Sequence, residues 1–179
     1  LLLLALSQRV LIIDRLTSSQ ATASAFSRIT MAEGAITMIQ DYPITGVGAN
    51  NYSLLMPKYD PFDFKRENQI VIVHNVYLLT AAETGLVGLA TFLWFLISLF
   101  IQAVQIIRRT PNDVVWLAGV GAFSALAALV VHGIVEYDML ANVNVFGLFW
   151  LFAAIIASLG TYLKHGQVAN DSLHSDFSH

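Results

Sequence analysis

His74 and Asn75 open a segment, His74-Asn75-Val76-Tyr77, that leads into a long apolar run. A histidine at the mouth of a hydrophobic bundle can act as a general base, because imidazole exchanges a proton near neutral pH. The competing reading is an interfacial histidine and tyrosine that anchor a helix end. In a helix Tyr77 lies one turn below His74, whereas Glu83, nine residues on, faces another side. Arg28 lies early in a stretch of helical periodicity, near Ser24 and Ser27. A cation near a helix N-terminus opposes the dipole, so this position favours an anionic partner, and the guanidinium fork suits phosphate. The alternative is a solvated surface arginine. His132 and Glu136, four apart, form a third constellation, with Asp138 just beyond. Ionisable groups at membrane depth face a cavity or each other. The pair is therefore either part of a site or a structural i,i+4 contact. Lys58, Lys65 and Arg66 read as solvated loop charges or as partners of anionic head groups.

Other chemistry is excluded or unsupported. The chain has no cysteine, which removes thiol catalysis, disulfides and cysteine-ligated metals. HExxH, Walker and GxSxG patterns are absent, so neither a protein-held metal nor a cofactor is expected. Nine Lys/Arg without a dense cluster argue against nucleic acid as a partner. Of the 179 residues 56% are hydrophobic and 12% charged, with a mean hydropathy of +0.66. Soluble domains carry about a quarter of charged residues, so the solvent here is a bilayer.

The elements that must hold these residues follow from periodicity. Residues 1–13 read as the end of a transmembrane helix whose start is missing, which makes the chain the C-terminal part of a longer protein. Residues 14–75 form a polar loop region. Within it Thr17 to Ser24 is a small-polar linker, and Phe26, Ile29, Ala32, Ile36 and Ile39 recur at helical spacing up to Gln40. Asp41-Tyr42-Pro43 ends that helix. Gly46 and Gly48 mark a turn, and Asn51 to Gln69 reads as loop. Residues 76–163 hold three spans, at about Gly85–Ile107, Val114–Val135 and Val143–Leu163, each long enough for the roughly 20 residues a bilayer requires. Residues 164–179 form a polar tail, read as a disordered end on the cytoplasmic side. The fold class is an all-α polytopic membrane protein, a C-terminal helical bundle with one partly helical extracytoplasmic loop.

Orientation rests on the short basic loop at Arg108 and Arg109 and on Lys164, which the positive-inside rule places in the cytoplasm. The Asp14–His74 region and the Glu136–Asn142 loop then lie outside. The outer region also holds Arg15, Arg28, Lys58, Lys65 and Arg66, but at about 60 residues it reaches the length at which charge stops governing translocation.

Taken in order, Arg28, the turn Asp41-Tyr42-Pro43-Ile44-Thr45-Gly46-Val47-Gly48, Asn51-Tyr52, His74-Asn75 and Gly85-Leu86-Val87-Gly88 resemble the O-antigen ligase/polymerase family. These are membrane glycosyltransferases that share a Wzy-type C-terminal domain. The resemblance covers about Arg28 to Leu99. It implies transfer or polymerisation of a glycan from a polyprenyl-diphosphate-linked donor in the cell inner membrane, on the extracytoplasmic side. The acceptor would be a hydroxyl on a lipid, a glycan or a protein. His74 would be the base, and Arg28 would hold the diphosphate. Asn75, Tyr77, Gly46, Gly48, Asn51, His132 and Glu136 would bind substrate. No nucleotide and no metal is implied. The chain departs from the family where Arg28 is followed by Ile29-Thr30-Met31 rather than by a nearby tryptophan, and the family's further arginine falls in an upstream region that this chain lacks, so the fragment is not expected to act alone. Two other readings are a polysaccharide transporter and a non-catalytic subunit of an envelope polysaccharide assembly complex. Transport expects charges or helix breakers at mid-span, and Thr91 to Phe100 has neither.

Overall fold

The computed structural model describes residues 19–60, 72–110, 114–137, 139 and 142–176. Among these the chain is all helical: α1 (Ser19–Asp41), α2 (Tyr52–Tyr59), α3 (Val76–Arg109), α4 (Val114–His132) and α5 (Val143–Asp176). Three helices are long and apolar enough to cross a membrane: α3, α4 and α5 over Val143–His165. Their common core is a set of stripes at helical spacing: Leu96, Leu99, Ala103 and Ile106 on α3, Ala122 and Leu126 on α4, and Phe149, Ala153 and Ile156 on α5. The expected truncated helix at 1–13, Lys65, Arg66 and Asp138 lie outside the described residues.

A second cluster packs α1 and α2 against the first turns of α3. The apolar stripe that marks α1 in the sequence is largely not its buried face. Phe26, Ile29 and Ile36 are exposed, whereas Met31, Ala35 and Met38 are buried. Gly34 leaves room on that face for the Met56 side chain, since a Cβ there would lie 2.7 Å from Met56 Sδ. The expected linker also changes character, because Ser19 to Ser24 already belong to α1.

The stretch after Asn51, read as loop, begins as a helix. Tyr52, Leu55, Met56 and Tyr59 share one face, and Tyr52 and Met56 are buried. Pro57 and Pro61 hid that periodicity; Pro57 lies inside the helix, which stops two residues later at Tyr59. The buried Tyr52 hydroxyl donates to the Met31 carbonyl at 2.7 Å, and burial raises its pKa, which keeps it a neutral donor. Tyr59 donates to Asp41 Oδ2 at 2.8 Å, which joins the end of α2 to the end of α1.

The first span starts nine residues before Gly85, and Gly85 is a break inside it, with φ 72° and ψ −178°. A break frees backbone groups that lipid cannot satisfy. The 41–48 turn supplies them: Val47 N–H donates to Ala82 O (2.9 Å), Gly48 N–H to Glu83 O (2.9 Å), and Leu86 N–H to Pro43 O (2.8 Å). Both Gly46 and Gly85 have positive φ, and a Cβ on either would overlap backbone atoms of the other segment. The Glu83 carboxylate completes the joint by accepting from Tyr52 N–H at 3.2 Å. At the far end, where a disordered tail was expected, the described helix α5 continues to Asp176.

Gly85→Ala and Gly46→Ala should each lower thermal stability in detergent by about 2 kcal/mol or more, through strain at positive φ and backbone overlap. Gly121→Ala, with open space around its Cβ, should be neutral or mildly stabilising. Equal, small effects at all three positions would contradict the joint.

Candidate functional site

The site is assembled where α3 begins and α4 ends. Asn75 caps α3, its Oδ1 accepting from the N–H of Tyr77 (3.0 Å) and Leu78 (2.8 Å). Its Nδ2 donates to Ile134 O at 2.8 Å, just past α4. Val76 N–H donates to Gly133 O (2.8 Å) and Tyr77 Oη to Val130 O (2.7 Å). Gly133 permits this approach, since a Cβ there would lie 2.7 Å from Val76 Cγ1. Backbone groups left over at both helix ends are thereby paired with each other. The consequence is fixed separation between residue 74, just before the cap, and residue 136, just after the turn.

Glu136 fills that gap. Its Oε2 lies 2.8 Å from His74 Nδ1, and its Oε1 lies 2.8 Å from Arg28 Nη2. Arg28 Nη1 donates in addition to the Val135 carbonyl at 2.9 Å. The His74 ring meets Tyr137 edge-on, with centroids 5.4 Å apart. Three segments distant in sequence thus converge on one carboxylate. The side chains of Arg28, His74 and Glu136 retain 43%, 30% and 25% of their exposure, which leaves the cluster open to a ligand.

The hydrogen bond from His74 holds the Glu136 carboxyl below its ordinary pKa, with Arg28 adding a hydrogen bond and its charge, against a partial upward push from burial. An ionised carboxylate only accepts, so His74 Nδ1 carries a proton. In neutral His74 the lone pair is then on Nε2, the nitrogen turned away from Glu136.

The residues anticipated from sequence separate into groups. Arg28, His74 and Glu136 come together. Asn75 and Tyr77 build the α3–α4 clamp, while His132 ends α4 and its carbonyl accepts from the N–H of Glu136 at 3.0 Å. Glu136 was anticipated as a partner of His132, but its carboxylate oxygens are engaged by Arg28 and His74. Gly46 and Gly48 belong to the joint at the α3 break. Asn51 closes their turn, its Nδ2 donating to Val47 O at 3.0 Å. Sequence reasoning passed over Tyr137 and the Val135 carbonyl, which no motif marks. The capping role of Asn75 was readable, since Asn before an apolar helical run is a common N-cap.

A family model described as O-antigen ligase matches residues 1–93. The chain belongs to the O-antigen ligase family. The matched stretch holds Arg28, the 41–48 turn and His74, so two corners of the cluster fall within the O-antigen ligase region and Glu136 lies beyond it. Membership supports a membrane glycosyltransferase role at the level of the family. No curated protein and no solved structure matches the chain.

Because the folded pKa of Glu136 is depressed, its contribution to stability is present above the ordinary value of 4.5 and fades as pH falls through the lower folded value. Thermal stability of the wild type should therefore fall on the acid side of 4.5, and Glu136→Gln should flatten part of that acid limb. An unchanged acid limb in the variant would show that Glu136 is not bridged in solution.

Proposed function

We propose that this chain carries the acceptor-activating and diphosphate-holding part of a membrane glycosyltransferase that uses a polyprenyl-diphosphate-linked glycan. The reading rests on one observation, the single Glu136 carboxylate that holds an arginine fork and an imidazole side by side. The acceptor hydroxyl attacks the anomeric carbon of the donor. As the new C–O bond forms, the bond from that carbon to the diphosphate oxygen breaks, and the polyprenyl diphosphate leaves with the electron pair. The hydroxyl proton goes to His74 Nε2. Glu136 holds the ring and stabilises the imidazolium that results, as the acid of a catalytic triad does. Arg28 presents charged N–H donors to the diphosphate, an electrostatic role that grows with charge on the leaving group. Loss of His74 or Arg28 would therefore act on opposite ends of one displacement.

In this reading residues 14–75 and the turn after α4 face the extracytoplasmic side of the cell inner membrane, and Arg108, Arg109 and Lys164 face the cytoplasm. The acceptor is a lipid, a growing glycan or a protein; the chemistry at His74 is the same for each. The energy lies in the donor, so no nucleotide takes part.

In the intact parent protein, with purified polyprenyl-diphosphate glycan and candidate acceptors, His74→Ala should lower transfer by about 100- to 10,000-fold. Arg28→Ala should lower it by about 100- to 1,000-fold. The acceptor that works names the subfamily. Retained transfer in either variant would remove that residue from the chemistry, and no transfer by folded, donor-bound wild type would favour transport or a non-catalytic subunit.

A further inference from the structure

A cavity of about 160 Å³ between α3 and α5 presents no polar surface. Its walls are Phe92 and Phe95 on α3, Phe146, Phe149 and Trp150 on α5, and Met139 from the connection between α4 and α5. It lies at the same end of the bundle as the Glu136 cluster. Met139 follows Glu136 by three residues, and the Phe92 ring meets the ring of Tyr77, three residues past His74, at 6.2 Å. Steeply angled ring pairs, Phe95–Phe149 at 64°, Phe146–Trp150 at 70° and Phe149–Trp150 at 77°, brace the walls before any ligand arrives. Met139 is buried, and its unbranched thioether adapts to what lies beside it. Phe146 and Trp150 remain exposed, so the cavity is reachable from the bilayer.

From this arrangement, and resting on the donor proposed above, we infer that the cavity takes an isoprene unit of the polyprenyl chain close to the diphosphate. A diphosphate at Arg28 must send its chain from the polar cluster into hydrocarbon, and this cavity is apolar space beside that exit. An apolar cavity of about 150 Å³ accepts a molecule the size of benzene, so the five carbons of one isoprene unit fit. Acyl chains of the bilayer are as apolar as the cavity, so no hydrophobic gain drives entry and selectivity comes from packing. An isoprene unit carries a methyl branch and a planar double bond, and its π face and C–H edges pack on aromatic rings as another ring would. A straight saturated chain has neither feature. The cavity thereby makes the donor's chain, and not only its diphosphate, part of what is recognised.

Tryptophan fluorescence of the full chain in phosphatidylcholine nanodiscs tests the assignment, with Trp94→Phe and Trp116→Phe leaving Trp150 as the reporter. Farnesyl phosphate and pentadecyl phosphate carry the same head group and the same number of carbons, and differ in branching and unsaturation. Farnesyl phosphate should change Trp150 emission saturably and bind roughly 3- to 10-fold tighter than pentadecyl phosphate. Met139→Phe, which puts a further rigid ring into the cavity, should bring the two close to equal. Gly121→Ala, outside the cavity, should keep the preference. Should Met139→Phe fail to fold, Phe146→Leu, at an exposed wall, should still reduce the preference. An unresponsive Trp150, equal binding of the two phosphates, or a preference that survives Met139→Phe or Phe146→Leu would overturn the site. The readout needs no transfer, so the two readings fail separately. Glycan transfer without the preference removes this site alone, and the preference without transfer leaves the site and removes the glycosyl-transfer reading.

Discussion

Backbone N–H and C=O groups cannot go unpaired in hydrocarbon, and this chain releases them in two places near one end of its bundle. One is the break at Gly85, the other the facing ends of α3 and α4. Each is repaired by a segment from elsewhere: the Pro43–Gly48 turn at the break, and donors of Asn75 and Val76 on the Ile134 and Gly133 carbonyls at the helix ends. The first repair draws the C-terminus of α1 onto α3, and the second fixes His74 against the turn that carries Glu136. Arg28, on the same stripe of α1 as the buried Met31 and Ala35, then falls within reach of the same carboxylate.

The bridge itself is a positioning device more than a source of stability. Ion pairs as open to water as Arg28 and Glu136 are worth about 0–1 kcal/mol. What the carboxylate does instead is fix the tautomer of His74 and hold a guanidinium beside it. A diphosphate that approached would meet Arg28 already oriented, at the cost of competing with Glu136 for part of its fork. The partial exposure of all three side chains fits a cluster meant to meet a ligand.

Hydropathy made the three spans legible, because a bilayer imposes length and composition directly on sequence. The turn at 41–48 and the order Arg28, His74 were legible as a pattern of residue types. The inward face of α1 was not, since burial there follows Gly34 and the close approach of Met56 rather than the large aliphatic stripe. Gly85 looked like the head of a helix because glycine marks both ends and breaks; only the hydrogen bonds from Val47 and Gly48 distinguish them. Glu136 was visible as an ionisable residue near a span end. Its partners were not, because they lie 62 and 108 positions away and no local spacing links them.

The most direct test of the central claim is the tautomer of His74 in the full chain, read from its imidazole ¹⁵N shifts at a pH where the ring is neutral. With Glu136 accepting from Nδ1, the wild type should be predominantly the Nδ1–H form, and Glu136→Ala should release it toward Nε2–H. A wild-type His74 that is already Nε2–H, or a tautomer indifferent to Glu136, would contradict the shared carboxylate and the roles built on it.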